Sequence, residues 1–305
     1  NKNGKNHHYP QNGQLHTANY EKYFFRCKDD FSVSNSLTFL KINHVKTALI
    51  TGASSGIGKE LAIAHAQKGG DLVIVARRKE ALENLKFALQ DQYGIHVEVI
   101  TQDLSEKDAA QKVFEQIIEK KIKIDYLINN AGFGDNVLFE DSSHVRNNNM
   151  LQLNITALTD FCHLFVQHWI AHSFQGKIMN VASTAAFQGV PYFAVYSATK
   201  AYVLSLSEAL SLELKSNNIT CTALCPGPTK TEFAKNSNMN PAFTENKMLP
   251  SAAAVANYGY KKMMRGQTVA IPGIFNKAGT TSGKFFPRKM TAYVAGQVMK
   301  KANDL

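Results

Sequence analysis

Thr47-Ala48-Leu49-Ile50-Thr51-Gly52-Ala53-Ser54-Ser55-Gly56-Ile57-Gly58-Lys59-Glu60-Leu61-Ala62-Ile63-Ala64 decides the fold. Its first four residues read as a short buried strand, and its last six are good helix formers. Between them lies a turn with glycines spaced G-x-x-x-G-x-G, at Gly52, Gly56 and Gly58. Such a strand–turn–helix unit suits a pyrophosphate. Glycines let the backbone approach closely, and the unpaired N–H groups of the first helical turn face the anion. Taken alone, the stretch also fits a tight turn that binds nothing.

Outward from this stretch, strands alternate with helices. Leu72–Ala76, His96–Ile100, Tyr126–Asn129, an apolar run from Lys177 to Ala182, Ile219–Leu224 and Thr268–Ile271 read as strands. Lys79–Gln92, Lys107–Lys120, Met150–His172, Tyr196–Lys215 and Ser251–Met264 read as helices. That alternation argues for a parallel sheet covered on both faces.

The chemistry sits late in the chain, in Tyr196-Ser197-Ala198-Thr199-Lys200, with Ser183 thirteen residues earlier and Asn154 further upstream. On a helix, positions i and i+4 share a face, so Tyr196 and Lys200 point the same way. An isolated phenol has a pKa of ~10, too high for efficient proton transfer at neutral pH. A neighbouring ammonium is expected to lower it. Ser183 closes a strand, where open α/β sheets place their ligands. Tyr258 and Lys262 repeat the spacing, but Glu245 stands where a serine is needed.

TGASSGIG at 51–58, Asn129-Asn130-Ala131-Gly132, Asn154, Ser183, YSATK at 196–200 and Pro226-Gly227 occur in one order and register. In this the chain resembles the classical short-chain dehydrogenases/reductases, over roughly residues 45–275. The resemblance implies an α/β, single-domain Rossmann fold with a seven-stranded parallel sheet and helices on both faces. It implies an NAD(P)-dependent oxidoreductase whose catalytic residues are Asn154, Ser183, Tyr196 and Lys200. Gly52, Ser54, Ser55, Gly56, Ile57 and Gly58 would hold the cofactor's pyrophosphate. Asp103 would bond the adenine amino group beside Leu104, and Asn130, Ala131 and Gly132 would line a ribose. Pro226, Gly227, Thr229 and Thr231 would approach the nicotinamide. Lys200 would also hold the nicotinamide ribose. Asn154 would distort its helix to bind a water that connects Lys200 to solvent.

Folds that prefer NAD place a carboxylate at the end of the second strand, on the ribose 2′-OH. Here Ala76 is followed by Arg77 and Arg78, and no acid is present to repel a phosphate. A guanidinium, Arg77 foremost, grips a 2′-phosphate in bidentate fashion. The expected cofactor is therefore NADP(H). The expected reaction transfers a hydride between nicotinamide and the carbonyl or alcohol of an apolar or acyl-like small molecule. Phe187–Phe193 and Phe233–Leu249 should flank the pocket, since Phe187, Tyr192, Phe193, Phe233, Met239, Phe243 and Met248 suit such a substrate. Two other readings stay open: an idle NADP(H)-binding module that senses redox state, and an epimerase or dehydratase. The four intact catalytic groups weigh against the first, and the glycine spacing and the chain's shortness against the second.

Composition bounds the rest. The 305 residues are 44% hydrophobic, enough for one sizeable core. The expected organisation is a polar, flexible extension over 1–43, a catalytic domain over 44–275 and a basic helical tail over 276–305. The four cysteines, Cys27, Cys162, Cys221 and Cys225, form neither a disulfide framework nor a metal motif. They suit a cytoplasmic protein without a metal. His7-His8 and the histidines at 163, 168 and 172 read as exposed tail and as core or interface residues. No apolar run is long enough to span a membrane, and no signal-peptide core is visible. Net charge is +10, and residues 261–305 hold nine basic residues against one acid. Without a nucleic-acid module, that end points to a solvated face or a weak peripheral membrane contact. Pro287–Lys301 reads as a helix with Met290, Tyr293, Val294 and Val298 on one stripe, which packs over the pocket mouth or against a second subunit. A homo-oligomer, dimer or tetramer, is expected.

Overall fold

The structure is a computed structural model that describes residues 45–240 and 249–303. The expectations for the 1–43 extension, His7-His8, Cys27, Phe243 and Met248 lie outside the described residues.

The sheet contains β1 (Thr47–Thr51), β2 (Asp71–Ala76), β3 (Val97–Thr101), β4 (Tyr126–Asn129), β5 (Lys177–Val181), β6 (Thr220–Leu224) and β7 (Val269–Ala270). Its order is β3-β2-β1-β4-β5-β6-β7, with every neighbouring pair parallel. Alternate strand residues feed opposite faces. Leu49, Val73 and Val75 join α3 (Ala109–Glu119), α5 (Leu158–Ala171) and α6 (Ala194–Glu213) on one side. Ala48, Ile50, Leu72 and Ile74 join α1 (Gly56–Ala66), α2 (Lys79–Tyr93) and α8 (Ala252–Met264) on the other. Strands buried on both faces explain why the apolar runs are continuous rather than alternating.

One helix departs from its sequence reading. The span Met150–His172 is not continuous: α4 (His144–Leu151) leads into a π-helical turn, Gln152–Ala157, before α5 begins. Buried Met150, Asn154, Ala157, Leu158, Phe161, Phe165 and Trp169 keep helix-like spacings across the π-turn, so pattern alone does not reveal it. The histidines of α5 also differ from a core role. His163 and His172 are exposed and His168 is half-buried, stacked on His172 at 4.3 Å between ring centroids. Cys162, Cys221 and Cys225 are buried free thiols.

Beyond the sheet, α7 (Phe233–Asn236) is a short helix after β6. α9 (Ile274–Ser282) and α10 (Arg288–Asn303) are the last two described helices. Asn276 of α9 lies against Gly227, and Gly296 of α10 approaches the Pro191 ring so closely that a Cβ there would sit 2.9 Å from its Cγ.

Trp169 anchors α5 to the sheet: it is fully buried, and its indole Nε1 donates to Ile124 O at 2.8 Å. Trp169→Ala should cost about 3–5 kcal/mol, from the cavity and the orphaned carbonyl, read as a lower urea midpoint at unchanged slope.

Candidate active site

Chain order reverses between β1 and β4, which opens a crevice at their C-terminal ends. Its floor is a backbone contact. Thr51 Oγ1 accepts from the amides of Asn130 and Ala131, both at 3.0 Å. The Asn130 side chain donates to Thr51 O at 3.0 Å and Gly52 O at 3.2 Å. Gly52 has φ +67°, in the left-handed region. Gly58 has no room for a Cβ, which would run into the Gly52 carbonyl and the Asn130 amide. Gly58 therefore does not line the crevice; it sets α1 hard against the turn. No side chain caps α1 at Ser55, so the amides of its first turn remain for a ligand. Ser54, Ser55, Gly56 and Ile57 line the cavity there, and the cradle fits a pyrophosphate.

At the far end of the crevice, Arg77 and Arg78 follow β2 into the cavity wall. Arg78 is spoken for: it donates to Ser54 Oγ at 3.2 Å and pairs with Glu232 at 3.0 Å. Arg77 is the freer cation, 70% exposed, with a long 3.5 Å pair to Asp103. Partial burial pushes the Asp103 carboxyl upward, but the Ser105 hydroxyl and amide, with Arg77, outweigh it and hold the group below its ordinary value. Leu104, Asn130, Ala131 and Gly132 line the same cavity, as do Pro226, Gly227, Thr229 and Thr231 on the β6 side.

The sequence-selected catalytic residues converge at the other end. Asn154 sits in the π-turn, fully buried. Its Oδ1 accepts from Phe133 N at 3.2 Å, and its Nδ2 donates to Phe133 O at 2.9 Å and Thr199 Oγ1 at 3.1 Å. A Cβ on Gly132 would lie 2.9 Å from Asn154 Oδ1 and 3.4 Å from Lys200 Nζ, so both groups border Gly132. Lys200 Nζ donates to Val181 O at 2.8 Å and stands 5.8 Å from the Tyr196 ring centroid. Ser183 accepts from Ala185 N at 3.1 Å. Ser183, Tyr196 and Lys200 all line the cavity.

The electrostatics correct one expectation. Burial pushes the Tyr196 phenol up to about 12, offset only partly by the Ser183 hydroxyl. Lys200 does not pull it below its ordinary value, because burial spends itself on the ammonium too, lowering Lys200 to about 8. The chain by itself thus holds the proton on the phenol.

The cavity totals about 1180 Å³ and continues past Tyr196 into an apolar chamber. Val190, Phe193, Phe233, Met239 and Leu249 line it, as the flanking segments suggest. Phe187 and Tyr192 do not. Phe187 packs into the core with α5 and α6, and Tyr192 turns aside at φ +67°. Sequence reasoning missed a whole wall: Val145, Arg146, Asn149 and Leu153 from α4 and the π-turn. His144–Leu151 reads as a polar stretch, and nothing local marks it as pocket. Arg146 is held by buried Asp135 at 2.9 Å and donates to Asn236 O at 2.7 Å. Met290, Val294, Val298 and Met299 of α10 complete the opposite side.

Tyr258 and Lys262 reproduce the pair's local geometry, with Nζ 5.4 Å from the ring centroid. They sit on α8, away from the cavity.

Residues 46–242 match the family described as short chain dehydrogenase. The chain belongs to the short-chain dehydrogenase/reductase family. It is 32% identical over 224 residues to 11-beta-hydroxysteroid dehydrogenase-like 3 of Arabidopsis thaliana, covering 73% of this chain and 72% of that protein. A short-chain dehydrogenase from Sphingobium yanoikuyae, solved with NADPH, superposes with a TM-score of 0.71 at 30% identity, covering 79% of this chain and 94% of that one. A 3-ketoacyl-(acyl-carrier-protein) reductase from Brucella melitensis, solved with NADH, gives 0.66 at 26%, covering 74% and 96%. The protein is accordingly an oxidoreductase of alcohol and carbonyl groups that uses a nicotinamide cofactor.

Lys200 carries its charge below about pH 8 and loses it above. In the unfolded chain it stays protonated to its ordinary 10.5. The buried ammonium therefore lowers stability fully below about pH 8, and that loss is recovered as pH rises from about 8 to 10.5. If Lys200 stabilises a developing phenolate on Tyr196, activity should move the other way, because a neutral Lys200 cannot do so. For carbonyl reduction, kcat/KM should hold up to about pH 8 and fall above it. A profile flat through the titration shows that the reaction does not use this charge.

Proposed function

We propose that this protein is an NADP(H)-dependent reductase or dehydrogenase of an apolar carbonyl or alcohol of hydroxysteroid-like size. The observation that carries the reading is one continuous cavity, with the Arg77 guanidinium at one end, Ser183, Tyr196 and Lys200 at its middle and an apolar chamber beyond. The 11-beta-hydroxysteroid dehydrogenase-like relative supports the substrate class.

The cofactor is held along Gly52–Ile57, Arg77, Asp103, Leu104, Asn130–Gly132 and Pro226–Thr231. When bound, it supplies the hydride that reduces the carbonyl carbon. Ser183 and Tyr196 hydrogen-bond the carbonyl oxygen. As negative charge develops there, the Tyr196 hydroxyl gives its proton, so a phenol held protonated by burial is already in the form that reduction needs. Lys200 stabilises the phenolate left behind. Asn154 holds the Phe133 backbone and, through the π-turn, faces its amide toward Lys200. Buried free cysteines support a reducing, cytoplasmic setting, and the family's habit supports a homo-oligomer.

Tyr196→Phe should lower turnover by a factor on the order of 10²–10⁴ while NADPH binding survives. Tyr258→Phe, with the same spacing but no cavity, should be near neutral. If Tyr196→Phe stays within a few-fold of wild type on a turned-over ketone, another group supplies the proton. If no ketone is turned over at all while NADPH binds, the protein is a binding module instead.

Cofactor choice rests on Arg77, since Arg78 is already engaged by Ser54 and Glu232. A charge-assisted contact of ~1.5–3 kcal/mol predicts that Arg77→Ala weakens NADPH by roughly ten- to a hundredfold and leaves NADH little changed. Titration calorimetry checks this; equal affinity of the unmodified protein for both cofactors would refute the assignment.

A further inference from the structure

Residues 261–305 contribute a net +8 to a chain of net +10. None of that charge is used by the reaction above. The three most exposed large apolar side chains among the described residues are there too: Phe275 at 90%, Phe285 at 81% and Ile274 at 78%. They lie on the solvent side of α9 and the turn after it, with Tyr293 of α10, 66% exposed. Lys277, Arg288, Lys289 and Lys300 stand exposed among them. Scattered single apolar residues need no explanation. Bulky exposed apolar side chains interleaved with exposed cations along one stretch of thirty residues do.

The charge selects the occupant. A second copy in a two-fold contact would bring this same basic face against itself. Residues 1–43 are no better suited, with six basic residues against three acidic ones. Both alternatives bury cations against cations. An anionic surface that also accepts apolar side chains satisfies both features, and a bilayer with acidic headgroups is such a surface. No helix of the described residues is long and apolar enough to cross a membrane, so the contact is peripheral.

We propose that the segment α9–α10 docks on an anionic membrane surface. Docking would also bring lipid to one edge of the cavity. Met290, Val294 and Val298 line the cavity and are also 47%, 53% and 59% exposed, so they form an apolar rim on the docking helix. An apolar substrate then passes from lipid to chamber without crossing water; this consequence, unlike the docking, rests on the function proposed above.

The test is sedimentation of the full chain with phosphatidylcholine vesicles, with and without phosphatidylserine, and NADPH binding measured in parallel. The expected result is pelleting with the anionic vesicles at low salt and release at high salt. Lys277→Glu/Arg288→Glu/Lys289→Glu should lower the partition coefficient at least about tenfold. Phe275→Ser/Phe285→Ser should lower it several-fold. None of these five residues lines the cavity, so NADPH binding should persist in both variants. Absence of pelleting at low salt, or unchanged pelleting after charge reversal, overturns the proposal. Full binding by the Phe275/Phe285 variant also overturns it, in favour of a plain polyanion contact such as nucleic acid. Loss of NADPH binding by the unmodified protein strikes the cofactor assignment instead and leaves docking standing.

Discussion

The site depends on how closely α1 approaches the loop after β4. Gly58 stands where a Cβ would meet the Gly52 carbonyl and the Asn130 amide, and Thr51 Oγ1 gathers two amides of that loop. Any side chain at position 58 would lift the helix from the sheet end. The uncapped amides of its first turn would then no longer face the crevice, and the Ser54 hydroxyl would leave Arg78. The same loop continues through Gly132 to Phe133, whose backbone holds Asn154. One close backbone approach thus sets the cofactor cradle and, a few residues later, the position of the group beside Lys200.

Burial then decides the proton chemistry. Tyr196 and Lys200 both sit in a nearly water-free place, and desolvation acts on each against its charged form. The phenol moves up and the ammonium moves down, because their neighbours do not replace the hydration that each charged form has lost. A transition state that develops negative charge on oxygen meets donors that are already oriented and need no solvent rearrangement. The carbonyl of Val181 fixes Lys200 at 2.8 Å, so its direction is set by β5 rather than by a flexible partner.

The sheet was legible because β1, β2, β4, β5 and β6 are short apolar runs separated by helices, and their burial leaves no other arrangement. The glycine spacing and the Tyr196–Lys200 pair were legible for the same local reason. Spacing did not discriminate further: Tyr258 and Lys262 have nearly the same geometry on α8 and face no cavity. Only Ser183, arriving from a different strand, separates the two. The π-turn around Asn154 left no mark in the apolar period; it followed from the resemblance. The pocket walls were the least legible. Val145 and Leu153 come from a stretch rich in asparagine, and the α10 residues reach the cavity from more than ninety positions beyond Tyr196. Such contacts belong to tertiary packing, which periodicity does not encode.

That division has a consequence for how the protein is specialised. The crevice floor is built from adjoining strand ends that must stay in register, so the chemistry is rigid. The chamber is built from four segments distant in sequence, and polar bonds hold two of them to the loop after β4. Arg146 joins α4 to Asp135 and to the carbonyl of Asn236, and Asn238 donates to the same Asp135 carboxylate at 2.7 Å. The amide of Asn136 reaches Ser237 O at 2.8 Å. These bonds clamp α7 to the loop after β4, and α7 carries Phe233 onto Tyr196 at 5.4 Å between ring centroids. On the opposite side, Gly296 presses on Pro191 without any polar bond to direct it. One wall is therefore set by a half-exposed arginine on a buried carboxylate and, among the described residues, the other by apolar contact. The apolar wall is the one free to yield to the bulk of a substrate, while the clamped wall keeps the aromatic ring that borders the reacting phenol in place.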